Sequence, residues 1–223
     1  DTKKGMSFNY NTKLNMQLGL NDFSADDVIN KMSGKNLYKI FKFFGEEKKS
    51  KIISKLIVKR RQQKNLNTKD LVTIIDKVYR GKKRKTHNAT KVFQSLRIFV
   101  NKEISELIKG LINAFNILPI GGIIIVVSFH SIEDKIVKYF FKNYSKISNT
   151  SRYLPKTQNE NFPLELIVKK PIVPSLQETT INPPSRSAKL RYVFKKKSNF
   201  NFEDFKNKFS YLLDIENLDS EII

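Results

Sequence analysis

The hydrophobic period changes once along this chain, at Pro119-Ile120-Gly121-Gly122, and that change limits the folds open to it. Before it, apolar residues recur at three and four positions: Leu37, Ile40, Phe41 and Phe44; Ile52, Ile53, Leu56 and Ile57; Leu71, Ile74, Ile75 and Val78. This spacing gathers side chains on one face of a helix. The longest such pattern, Thr90 to Phe115, predicts a single helix with Val92, Leu96, Phe99, Val100, Ile104, Leu107, Leu111 and Phe115 as its core stripe. After the turn, Ile123 to Val127 is an unbroken β-branched run, which suits a parallel strand covered on both faces. The chain therefore reads as an all-α stretch followed by an α/β stretch.

Local signals set the boundaries. Ser24 is a helix cap with Asp26 and Asp27 in the first turn, and Gly45 is placed to end the second helix. Further helices are predicted over Glu46 to Arg61 and Thr68 to Tyr79, with Arg80 to Thr90 as an exposed loop. Ser128 to Ser131 ends the strand, and a helix follows from Ile132 to Tyr144 with Glu133 and Asp134 in its first turn. Strands near Leu164 to Val168 and Lys189 to Phe194 come next, then one amphipathic helix carrying Phe202, Phe205, Phe209 and Leu212. The chain opens on Asp and shows three strands, too few to close a two-faced sheet, so part of the sheet is expected upstream.

Composition narrows the function classes. Forty-two Lys and Arg against 21 acids give a formal charge of +21 in 223 residues, a field that attracts polyanions. A Lys-, Asn- and Ile-rich composition also follows from genome bias, so charge alone does not decide for nucleic acid. There is no cysteine, and His87 and His130 are the two histidines, so no thiolate or His-pair metal site is expected. The run Ile123 to Val127 is a quarter of the roughly 20 residues a membrane span needs. No Gly-x-Gly-x-x-Gly or Walker-type loop is present.

Five stretches resemble one family. They are Lys4-Gly5-Met6-Ser7-Phe8 with Leu14-Asn15-Met16-Gln17; Phe44-Gly45-Glu46-Glu47; His87-Asn88-Ala89-Thr90 continuing to Asn101; Ser128-Phe129-His130-Ser131-Ile132-Glu133-Asp134 continuing to Lys138; and Asn182 to Arg191. In this order they are similar to the RsmH/MraW family of ribosomal RNA cytosine-N4 methyltransferases. The resemblance implies an α/β, Rossmann-like class I methyltransferase fold, partial here, with an all-helical insertion domain. Residues 1–23 would be the loop returning from the N-terminal half, 24–116 the helical insertion, 117–197 the C-terminal part of the sheet domain, and 198–223 an amphipathic tail. It further implies S-adenosyl-L-methionine as cofactor, with its binding residues upstream of residue 1, and N4-methylation of a cytidine in small-subunit (16S) ribosomal RNA. The partner would be the small ribosomal subunit, in the cytoplasm, with no membrane and no metal.

The reaction assigns roles. Cytosine's exocyclic amine is a poor nucleophile and must be held in line with the methyl group, with an acceptor for its proton. Strand ends in open α/β sheets face the ligand crevice, which puts Ser128 and His130 forward as catalytic residues and Ser131 as a substrate contact. His130 could instead serve simply as the cap of the following helix. Asn15, His87, Arg97 and Arg186 are further substrate-binding candidates, and Lys83 and Arg84 in the basic run Lys82 to Lys85 are candidates for phosphate contact. Where the family reads Asp-Gly-Pro-Leu-Asp-Met-Arg-Met, this chain has Asn11-Thr12-Lys13-Leu14-Asn15-Met16-Gln17-Leu18. Two carboxylates and an arginine are thus amides here, which keeps open a second reading: a non-catalytic RNA-binding or ribosome-assembly protein derived from the family.

Overall fold

A computed structural model describes residues 5–7, 11–19, 22–80, 86–146 and 162–222. The helices α1 (Ala25–Lys31), α2 (Gly34–Phe43), α3 (Ser50–Arg61), α4 (Thr68–Tyr79), α5 (Thr90–Val100) and α6 (Glu103–Ile117) come first. Then follow β1 (Ile123–Ser128), α7 (Ser131–Asn143), β2 (Ser145–Lys146), β3 (Leu164–Glu165), α8 (Leu176–Ile181), β4 (Lys189–Lys195), α9 (Glu203–Lys208) and α10 (Ser210–Glu216). Backbone contacts divide the chain into two units, Asp1–Ser105 with Phe209–Ile223, and Glu106–Lys208. Among the described residues no helix is long and apolar enough to cross a membrane.

In the helical unit, caps fix where helices begin. The Ser24 hydroxyl accepts from the Asp27 N–H while Asp27 accepts from the Ser24 N–H, and Asn67 and Asp70 do the same for α4. Leu37, Ile40, Phe41, Ile53, Ile57, Leu71, Ile75, Val92, Leu96 and Phe99 fill the core. Each large apolar side chain so buried contributes about 2 kcal/mol on leaving water. Ile53 and Ile57 are buried, but Ile52 and Leu56, expected on the same face, are exposed. A helix packed on one side buries only one stripe.

Three predicted helices begin, end or break elsewhere, for visible reasons. The third starts at Ser50, not Glu46, because Glu46 is left-handed (φ 47°) and the Glu47 carboxylate accepts from the Lys49 N–H at 2.8 Å. The predicted Thr90–Phe115 helix is two helices. The first ends at Asn101, whose N–H still bonds Arg97 O while its Nδ2 donates to Met16 O (2.9 Å) and its Oδ1 accepts from Leu18 N–H (2.8 Å). Lys102 turns left-handed (φ 50°), and Glu216 of α10 caps the new start by accepting from the Ile104 and Ser105 N–H groups at 2.8 and 2.9 Å. The single tail helix likewise breaks at Phe209 into α9 and α10.

In the second unit the strand order is β1-β4-β3-β2. The pairing of β1 corrects the sequence expectation: it runs antiparallel to β4, from Ile123 opposite Phe194 to Ser128 opposite Lys189. Among the described residues it is covered on one face, with Ile125 61% exposed and Ile124 buried. A β-branched run favours a strand but carries no information on its direction or on how many faces are covered. The strand expected through Val168 is confined to Leu164–Glu165, antiparallel to β4 and parallel to β2. Helix α7 packs on the sheet with Ile132, Ile136, Val137, Phe140 and Phe141, and Phe140 lies 5.0 and 4.8 Å from the Phe202 and Phe205 ring centroids. Buried Lys195 ends α6 by donating to Phe115 O and Leu118 O, both at 2.7 Å, a cation placed where helix carbonyls converge.

Candidate functional site: the strand end of β1

Register places Ser128 at the end of β1 opposite Lys189, and its buried hydroxyl donates to Lys189 O at 3.4 Å. Two residues on, His130 is extended (φ −136°, ψ 164°) and caps α7. Its Nδ1 accepts from the Glu133 N–H at 3.3 Å, and its Nε2 lies 3.2 Å from Glu133 Oε1. A proton on Nε2 is the tautomer this pattern requires. Glu133 Oε2 accepts in turn from the Phe129 N–H (2.9 Å) and the His130 N–H (3.3 Å). Burial alone would raise the Glu133 pKa, but the His130 side chain against it and these two N–H groups hold it below the usual carboxylate range. The carboxylate therefore stays ionised near neutral pH. Phe129 presents its ring to solvent, 56% exposed, and Ser131 is exposed at the first position of the helix.

The next residue anchors this arrangement to the sheet. Asp134 accepts from Arg191 Nε at 2.7 Å and from Lys189 Nζ at 2.9 Å, and Arg191 also donates to Lys169 O at 3.2 Å. Burial pushes the Asp134 pKa up, and the hydrogen bonds and charges of Arg191 and Lys189 bring it down further, leaving it lowered. Arg186 sits exposed in the 3-10 turn Pro183–Ser187 that leads into β4.

The helical unit holds the other candidates. Asn15 immediately precedes the left-handed Met16, and its Oδ1 accepts from the Gln17 N–H at 3.0 Å. Arg97 is bidentate on Glu103, at 2.7 and 3.0 Å. His87 is exposed, and its Nδ1 accepts from the Ala89 N–H at 3.2 Å. Lys83 and Arg84 lie outside the described residues.

Several of the motif stretches meet within this unit. Lys91 of the His87–Asn101 stretch donates to Glu46 O at 2.9 Å, and Gln94 to Phe44 O at 3.4 Å. At Gly45 a Cβ would come within 2.6 Å of Lys91 O, so only glycine lets the α2 end approach α5. Asn101 ties the same stretch to Met16 and Leu18. In the second unit Ser128, His130 and Ser131 lie within four residues at one strand end, with Lys189 opposite Ser128 and Arg191 on the same neighbouring strand. Sequence reasoning treated Glu133 and Asp134 only as charges favoured by the helix dipole. The His-x-x-Glu spacing of a capping box is the signal that picks out Glu133; the Asp134–Arg191 pairing has none, since it depends on register.

Residues 1–197 match the model of the MraW methylase family. The chain is 42% identical over 190 residues to a protein of Rhodopseudomonas palustris named Ribosomal RNA small subunit methyltransferase H, covering 85% of this chain and 57% of that protein. Proteins of the same name from Rhizobium johnstonii (42% over 193 residues, covering 86% and 57%) and Bartonella henselae (41% over 209 residues, covering 92% and 60%) are similar to the same extent. The chain thus spans somewhat over half the length of these relatives. By the extent of the family match and by this identity, the chain belongs to the MraW methylase family.

Proposed function

We propose that the chain is part of an enzyme that transfers a methyl group from S-adenosylmethionine to N4 of a cytidine in small-subunit (16S) ribosomal RNA, in the cytoplasm. The observation that carries this reading is the family match over residues 1–197, which takes in both the helical unit and the strand end of β1. In this reading β1 to β4 belong to a Rossmann-like sheet, the helical residues are its insertion, and the methyl donor is held by residues other than those described.

As the N4 lone pair forms its bond to the methyl carbon, the carbon–sulfur bond of the donor would break with the electron pair leaving on the neutral thioether, and one N4 proton has to pass to an acceptor. The ionised Glu133 carboxylate, with His130 Nε2 against one of its oxygens, is an acceptor held rigidly by two backbone N–H groups. Phe129 offers a ring face for the target base once it is out of its stack, and Ser128 and Ser131 flank it. Asn15, His87, Arg97 and Arg186 serve as RNA contacts in the same proposal, with Lys83 and Arg84 on phosphate.

The amides at Asn11 and Asn15 favour a second reading, a non-catalytic RNA-binding derivative. Asn15 Oδ1 performs the local task a carboxylate oxygen would, accepting from Gln17 N–H, so the turn keeps its shape and loses only the charge. The deciding experiment incubates the full-length gene product with radiolabelled S-adenosylmethionine and small subunits that lack the modification. Label recovered as N4-methylcytidine is the expected result. RNA binding without label would overturn the enzyme reading in favour of the derivative.

A further inference from the structure

We propose that the groove between α2 and α3 is a second RNA-docking site, one that takes backbone phosphates by charge and sits apart from the strand end of β1 in sequence and in unit. The proposal rests on RNA being the substrate. The groove has a volume of about 470 Å³ and is lined by Gly34, Lys35 and Tyr38 of α2 and by Lys51, Lys55 and Val58 of α3. Lys51 and Lys55 are four positions apart, so they project from the same face about 6 Å apart along the axis, the scale of neighbouring phosphates on a strand. Lys35 faces them across the groove.

What makes the groove is packing, not flexible loops. A Cβ on Gly34 would lie 3.1 Å from Val58 Cγ2, so the glycine lets α2 come close to α3. Ser54 at the floor already donates to Lys51 O at 3.2 Å, which leaves the lysines as the groove's charged donors. Tyr38 adds a ring whose face is itself approached by Lys42 Nζ, 5.3 Å from the centroid.

The charge is one-signed. From Gly34 to Arg61 there are ten Lys and Arg against Glu46 and Glu47 alone. Glu47 is buried on the Tyr79 hydroxyl, away from this surface. Lys35, Lys51 and Lys55 are exposed, and none of them makes an ion pair among the described residues. Three unpaired ammonium groups converging on a concavity repel one another, and a strand of phosphates relieves that repulsion while releasing counterions. The lining holds three lysines and no acid, which argues against a cationic peptide as occupant.

The test compares two triple variants of equal charge by fluorescence anisotropy, with a fluorescein-labelled fragment of small-subunit ribosomal RNA across a salt series. One is Lys35→Ala, Lys51→Ala and Lys55→Ala; the other is Lys69→Ala, Lys77→Ala and Lys142→Ala, on exposed positions elsewhere. Thermal melts check that both remain folded. The groove variant is expected to bind at least tenfold more weakly than wild type, and its salt slope to fall by about two, at roughly 0.7 per lost single-strand phosphate contact. The control is expected to change binding less than threefold. Equal weakening of both variants would overturn the groove while leaving RNA as substrate intact. A wild-type chain that binds phosphatidylglycerol vesicles and no RNA would overturn both.

Discussion

Arg191 Nε donates to Asp134 Oδ1 at 2.7 Å, so a charge pair with both side chains largely buried joins the first turn of α7 to the middle of β4. Lys189 Nζ reaches the other oxygen of the same carboxylate at 2.9 Å. The loop from Ser128 to Ser131 is thereby fixed at its far end by α7 and at its near end by β1, which hydrogen-bonds to the same strand.

Removing one partner should therefore be costly. Asp134→Ala leaves Arg191 without its carboxylate in a largely buried position and is expected to lower stability by about 3 kcal/mol in urea melts. The pH dependence has a definite sign. Asp134 titrates below its ordinary 3.8 in the folded chain, so its contribution is present above that value and is lost as pH falls below it. Wild type and Asp134→Ala should converge as pH drops through this window. A difference that stays constant down to strongly acidic pH would remove the ion pair as its source.

Glu216 makes the opposite prediction. Burial raises its pKa, and the hydrogen bonds from the Ile104 and Ser105 N–H groups only partly offset that. A folded pKa above the ordinary 4.5 means the folded chain binds the proton more tightly, so this group's contribution grows as pH falls toward 4.5 and is lost as pH rises through the folded value. Glu216→Ala is expected to cost about 2 kcal/mol by leaving the buried Ile104 N–H and the part-buried Ser105 N–H at the start of α6 without acceptors. Amide exchange at Ile104 and Ser105 reads the effect directly: it should quicken in the variant, and unchanged protection would show that α6 is capped some other way.

Much of this fold was legible in the sequence, for reasons that also explain the failures. Thr68–Tyr79 came out with its predicted ends because Asn67 and Asp70 are a local capping pair and the apolar stripe is regular. The break at Asn101 was not legible, because Val100 and Ile104 keep the stripe running across it. The break is made by partners distant in sequence: Met16, Leu18 and Glu216. The direction of β1 was lost for a similar reason, since Ile123 to Val127 would look the same beside any neighbour. At the strand end, Ser128 and His130 could be picked out by position after a strand. The ion pair of Asp134 with Arg191 needed the register between strands.

Gly45 tests the contact between two of the motif stretches. A Cβ there would lie 2.6 Å from Lys91 O and 2.8 Å from Phe41 O, and both are backbone atoms that cannot step aside as a side-chain tip can. Gly45→Ala is expected to destabilise the helical unit by about 2 kcal/mol, visible as a lower midpoint in thermal melts. An unchanged midpoint would mean that α2 and α5 separate without cost at this turn.

His130 carries two roles that a pair of substitutions can separate. As the cap of α7 it needs only an acceptor for the Glu133 N–H, which an asparagine Oδ1 supplies. His130→Asn should therefore melt close to wild type, while His130→Ala should lose about 1 kcal/mol. In methyl transfer by the full-length protein the two should behave alike, each losing at least tenfold in kcat/KM, because neither can place a ring nitrogen against Glu133 Oε1. Glu133→Gln keeps the shape of the cap and removes the ionised acceptor, so its loss should fall on kcat more than on KM. If His130→Asn restores full activity along with stability, His130 is a helix cap and nothing more, and the proton acceptor has to be sought among other residues.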